Sequence, residues 1–152
     1  NVSFVGSDEL LKKLVIEQEG LQVDLTQRLL NSQVLPPWND LSIPLVKDYQ
    51  VDMRRYFKKE KMSEEFNFIS LEGYLYAKIF VQILSECGPK VSRNSFMQKA
   101  QTLKNLNVGL DEDASFSSKE NQALHRIYFT EYFNGASRLV KDWNRFLPTG
   151  AQ

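Results

Sequence analysis

An α/β fold, in which helices pack on a short sheet and the chain closes with a C-terminal β-hairpin, is what the pattern of this 152-residue sequence predicts. Three observations predict it. Leu45, Val46, Tyr49, Met53, Tyr56 and Phe57 recur at three-to-four spacing against Lys47, Asp48, Asp52, Arg54 and Arg55, the period of an amphipathic helix. Leu21, Val23 and Leu25 alternate with polar neighbours, the period of a half-exposed strand. Asn134-Gly135, a pair suited to a two-residue hairpin turn, separates Arg126–Phe133 from Ser137–Trp143. The expected elements are helices near 7–15, 43–57, 71–87 and 92–104, strands near 2–5 and 21–26, and a hairpin near 126–142.

Each element has a local reason. The chain opens on a strand-like Asn1–Val5, and Ser7 can cap a short helix whose first turn carries Asp8 and Glu9. Carboxylates there favour the positive helix end. Leu10, Leu11, Leu14 and Val15 form its inward face. From Asn31 to Pro44, three prolines among Asn, Ser and Asp have a linker composition. Ser42 is the expected cap of the next helix, with Pro44 in its first turn, where the missing backbone donor costs little. Lys58 to Lys61 read as a mixed-charge helix end.

The helix from about Leu71 to Cys87 differs from its neighbours. Lys78, Gln82 and Ser85 make one narrow polar stripe, and the turns around Tyr74 and Tyr76 are apolar on nearly every side. Such a helix expects to be covered all round. Gly88-Pro89 ends it, and Ser92 can cap a further helix with Phe96, Met97, Ala100 and Leu103 inward.

Composition excludes several function classes. Lys+Arg and Asp+Glu balance at 19 each, so no bulk field draws nucleic acid or an anionic membrane. No segment reaches the ~20 apolar residues of a membrane span. A lone Cys87 excludes an internal disulfide and a CxxC site, and with one histidine, His125, neither a catalytic triad nor a zinc site has material to build on. Asp111, Glu112 and Asp113 are followed by Ala-Ser-Phe, which lacks the alternating oxygen ligands of a calcium loop, and read as a plain acidic loop. An enzyme has no means of turnover here.

The stretch Asn67-Phe68-Ile69-Ser70-Leu71-Glu72-Gly73-Tyr74-Leu75-Tyr76-Ala77-Lys78 resembles the segment that opens a lobe-packing helix in bacterial solute-binding proteins of the leucine/isoleucine/valine-binding type. Ser3-Phe4-Val5-Gly6-Ser7 is similar to that family's strand-to-helix turn. Gly20 through Val34-Leu35-Pro36, then Pro44 to Tyr49, are similar to its crossing strand, linker and following helix. Leu103 to Leu110, Phe116-Ser117 and Arg126-Ile127-Tyr128-Phe129 with Asn134-Gly135 resemble its closing segment.

The resemblance implies a partial type I periplasmic-binding-protein-like fold, with residues 1–152 as the C-terminal portion of a leucine-binding-protein-like domain and a linker at about 31–44. It further implies a non-catalytic solute-binding fragment of the substrate-binding component of an ABC-type amino-acid importer, extracytoplasmic or periplasmic, without a cofactor. Its partners would be a small polar solute and a membrane permease, and not nucleic acid. An extracellular ligand-sensing or interaction domain of the same fold is the alternative. Carried over by position, Asp8 or Glu9 would hold the ligand's ammonium group, and Phe68, with Ile69 and Ser70 as neighbours, would cover its apolar side. The groups that grip the carboxylate lie, in that family, on the lobe without counterpart here. With that lobe absent, the apolar surface around Tyr74 and Tyr76 would make the chain a homo-oligomer.

Overall fold

In the computed structural model the described residues are 3–4, 29–133 and 136–146. They form β1 (Ser3–Phe4), β2 (Leu29–Gln33), α1 (Pro44–Glu60), α2 (Phe68–Glu86), α3 (Arg93–Thr102), β3 (Tyr128–Phe133), β4 (Ala136–Leu139) and a 3-10 turn at Asn144–Phe146. The chain divides into two compact units, Asn1–Asn39 with Ile127–Gln152, and Asp40–Arg126. The first division falls inside the proline-marked stretch.

The first unit carries a mixed sheet in the order β1-β2-β3-β4. β1 pairs parallel to β2, with Ser3 opposite Leu29, and the other pairs are antiparallel. β2 lies later than the strand expected at 21–26, which falls outside the described residues, as does the helix expected at 7–15. Asn31, Ser32 and Gln33, whose composition suggests the start of a linker, instead complete β2. Cross-strand pairing to Thr130, Phe129 and Tyr128 outweighs their weak intrinsic strand preference. The hairpin stands where the sequence predicts it, with Phe133 opposite Ala136. Its Asn134-Gly135 turn lies outside the described residues.

On one face of this sheet Glu131 is buried and accepts from Arg138 Nε and Arg145 Nη1, both at 2.7 Å. Two guanidinium groups on one carboxylate oxygen offset the desolvation of that charge. On the other face Asn31 stands opposite Thr130, both fully buried, and the amide oxygen and nitrogen of Asn31 have no hydrogen-bond partner.

The second unit is built from the three helices and the loop that follows them. α1 begins without a side-chain cap: Ile43, not Ser42, is its N-cap residue. Ser42 is engaged by Asp40 Oδ1, which accepts from its backbone N–H at 3.1 Å and its hydroxyl at 2.6 Å. That short-range turn competes successfully with helix capping. The first free N–H, on Leu45, donates instead to the carbonyl of Gly109 at 2.9 Å. Leu45, Val46, Tyr49 and Phe57 form the buried stripe as expected, whereas Tyr56 faces solvent and Gln50 is buried, bonded to Arg54 at 2.7 Å.

α2 starts three residues earlier than Leu71, because Asn67 and Ser70 form a capping box. Leu71, Leu75, Ile79 and Ile83 are its buried stripe. The expectation that this helix is covered all round does not hold: Ile69, Tyr76 and Phe80 are 73%, 60% and 52% exposed. α3 is capped by Ser92 as the sequence predicts, with Ser95 completing a second capping box. It has no fully buried residue. Phe96 stacks on Phe80 with centroids 5.0 Å apart, Met97 turns outward against expectation, and Leu103 just beyond the helix is buried.

The loop to Arg126 is held by its own polar contacts. Leu106 and Ala114 form an isolated bridge. The carboxylate of Glu112 accepts the backbone N–H groups of His125 and Arg126, each at 2.9 Å, and Asp111 pairs with Arg126 at 2.5 Å. The acidic cluster of the sequence thus closes a loop.

Gly109 holds this loop against α1. Its φ is +88°, and a Cβ there would lie 2.7 Å from the Leu45 nitrogen. Gly109→Ala is therefore expected to destabilise the protein by about 2 kcal/mol or more, from left-handed backbone strain and the clash together. Thermal and urea denaturation monitored by circular dichroism would measure the loss.

Candidate functional site

The sequence-derived site residues that the structure describes, Phe68 and Ser70, both stand in the first turn of α2. Asp8 and Glu9 lie outside the described residues. Phe68 is the first helical residue and is half-buried, so part of its ring remains open to solvent. Ile69, next to it, is exposed.

Ser70 has a different environment. Its backbone N–H donates to Asn67 Oδ1 at 2.8 Å, and its hydroxyl donates to the Asn67 carbonyl at 3.1 Å. The same oxygen lies 2.5 Å from the hydroxyl of Tyr49, reached from α1. Ser70 therefore holds the helix start in place, and its hydroxyl is occupied within the chain. Its contribution to a site is to fix where Phe68 stands.

Beneath this turn lies an aromatic cluster. The ring of Tyr49, fully buried, meets Phe66 and Tyr74 edge-on, each at 5.7 Å between centroids. Phe57 meets Phe66 at the same distance. Arg54 places its guanidinium 5.3 Å from the Phe66 centroid and pairs with Glu64 at 3.5 Å. Edge-to-face contacts of this kind add about 0.5–1.5 kcal/mol per pair beyond burial. Tyr74 donates its hydroxyl to Asp52 at 2.7 Å. Its pKa is raised, first by burial, then by the hydrogen bond to Asp52 and the charges of Asp52 and Asp48.

Tyr49 is the residue that sequence reasoning placed only in the core. Its polar role had one legible signal: Asn67 and Ser70 stand at the three-residue spacing of a capping box, with a Tyr among the buried positions of the preceding helix.

No protein-family model matches the chain, and no curated protein matches it significantly. Solved structures do. A possible leucine/isoleucine/valine-binding protein from Rhodopirellula baltica SH 1 superposes on 97% of this chain with a TM-score of 0.75 and 26% identity. The chain is a relative of the leucine/isoleucine/valine-binding type of solute-binding protein. A substrate-binding periplasmic protein from Ralstonia solanacearum superposes on 82% of it with a TM-score of 0.66 and 19% identity, a likeness of fold. The match covers 36% and 35% of those two chains, so this solute-binding relative spans about a third of the length of the structures it matches.

Two outcomes follow from the geometry at the start of α2. In this solute-binding relative Ser70→Ala removes a capping partner and leaves the buried Tyr49 hydroxyl short of a partner. The expected loss is about 1–2 kcal/mol by urea denaturation. Tyr74, whose folded-state pKa lies above the ordinary phenol value of about 10, stabilises the fold fully below that pH and loses the contribution as pH rises above it. Denaturation profiles between about pH 9 and pH 12 should therefore fall less steeply in Tyr74→Phe than in the wild type.

Proposed function

We propose that this chain is a non-catalytic part of the substrate-capturing component of an ABC-type amino-acid importer, working outside the cytoplasm and delivering a small polar solute to a membrane permease. The observation that carries the reading is the superposition of 97% of the chain on a possible leucine/isoleucine/valine-binding protein. A second observation supports it: the start of α2, which carries Phe68, is held rigidly by Asn67, Ser70 and Tyr49 while the ring itself stays partly open. Aromatic side chains on rigid elements make good covers for an apolar ligand group.

In this reading Asp8 or Glu9 neutralises the ligand's ammonium group and Phe68 covers its apolar side, with Ser70 securing the helix start. The carboxylate end of the amino acid is held by groups beyond the third of the length that this chain spans. An amino acid with one charged end unpaired in a desolvated cleft forfeits a few kcal/mol, which is about a hundredfold or more in affinity.

The 152-residue chain alone is therefore expected to bind branched-chain amino acids weakly or undetectably by calorimetry. A chain extended upstream to the length of its relatives should bind one of them tightly, and there Asp8→Ala and Phe68→Ala should each weaken binding by about tenfold or more. Tight binding by the short chain, or none by the long one across a panel of amino acids and small carboxylates, would overturn the reading.

A further inference from the structure

The second apolar face of α2 carries an inference independent of solute binding. Ile69, Gly73, Tyr76 and Phe80 fall within roughly 60° of one another around the helix. They lie beside, not on, the stripe of Leu71, Leu75, Ile79 and Ile83 that is buried within its own unit. All four are exposed, and the space beyond Gly73, where a Cβ would point, is open: nothing lies within 4 Å of it. These residues present on the order of 500 Å² of surface, at the upper end of what a monomer leaves uncovered without function.

The face has a two-fold sequence symmetry. Ile69 and Phe80 are equally distant from the point between Tyr74 and Leu75, and so are Gly73 and Tyr76. When two such helices cross antiparallel about an axis through that point, Ile69 of one meets Phe80 of the other, and each Tyr76 ring lies over the other copy's Gly73. A large side chain thus enters the gap left by a small one, twice, which is the self-complementarity that an isologous contact requires.

Charge does not favour a different occupant. Glu72, at the border of the face, accepts the hydroxyl of Tyr76, and Lys78 is paired with Asp48 at 3.1 Å. With 19 basic and 19 acidic residues the chain carries no net charge to repel a second copy.

We propose that the Ile69–Gly73–Tyr76–Phe80 face of α2 is a homodimer interface, closed by the same face of a second copy in antiparallel, two-fold contact. Two such faces bury about 1,000 Å² in all, the lower limit for a specific interface, which corresponds to a weak dimer with a Kd on the order of micromolar.

Sedimentation of the 152-residue chain over a concentration series tests this. The expected result is a monomer–dimer equilibrium that Tyr76→Arg and Gly73→Gln each weaken by about tenfold or more. Tyr76→Arg keeps a favourable i,i+4 pair with Glu72 and so preserves the helix. In a Cys87→Ser background, Gly73→Cys and Tyr76→Cys chains mixed together should form the mixed disulfide more readily than either forms its own.

A monomer at every concentration up to about 1 mM would overturn the proposal. A dimer unaffected by both substitutions would do the same, as would disulfides formed without preference for the mixed pair. If Tyr76→Arg lowered helix content, Gly73→Gln and the cross-linking pattern would still decide between these outcomes.

Discussion

The phenol of Tyr49 is a polar group at the bottom of an apolar contact between two helices, and the second unit is arranged around satisfying it. A buried hydroxyl without a partner costs about 1–3 kcal/mol. Here the cost is met by Ser70, 2.5 Å away, and that pairing requires α2 to begin at Phe68 and not a turn later. Once the hydroxyl is placed, the ring sets the positions of Phe66 and Tyr74 around it, and Tyr74 reaches Asp52 on the surface of α1. One side chain therefore determines how α1 faces α2 and where the half-open ring of Phe68 stands.

A second constraint comes from α1, whose N-terminus has no capping side chain. Its Leu45 N–H is satisfied by a carbonyl more than sixty residues later, on Gly109, and the close approach admits no side chain there. The loop that supplies this carbonyl is in turn closed by Glu112, which takes two backbone donors at its far end. An acidic residue that looked like ordinary surface charge is thus linked through the loop to the start of the best-patterned helix in the chain. α2 is bounded differently, by capping boxes at its own start and at the start of α3, which are local and tolerate changes elsewhere.

Much of the fold was legible because it rests on short-range periodicity. The α1 stripe, the Ser92 cap, the Gly88-Pro89 stop and the hairpin about Asn134-Gly135 all depend on residues within a few positions of one another. The errors share a cause. Ser42 looked like a cap, yet Asp40, two residues earlier, competes for its hydroxyl and backbone donor. Asn31 to Gln33 looked like a linker, yet they pair with residues about a hundred positions away. Met97 and Tyr56 had the right spacing to be buried, and the packed stripe proved narrower than the apolar one. Of the candidate site, Phe68 and Ser70 were placed by likeness to a family, and the physical reason for Ser70, a bond to Tyr49 across 21 positions, was not in the local pattern.

By itself the sequence determined the helix periods, the turns, the absence of net charge and the poverty of catalytic groups, because each is a property of composition or of neighbours along the chain. It also determined that α2 carries more apolar surface than one contact can cover. Only the tertiary structure decided which part of that surface is used: Leu71, Leu75, Ile79 and Ile83 go inward, leaving Ile69, Tyr76 and Phe80 outside. The reason is geometric. A helix rotated to bury either stripe satisfies its own hydrogen bonds equally well, so the choice falls to the rotation that also brings Ser70 to Tyr49 and Tyr74 to Asp52.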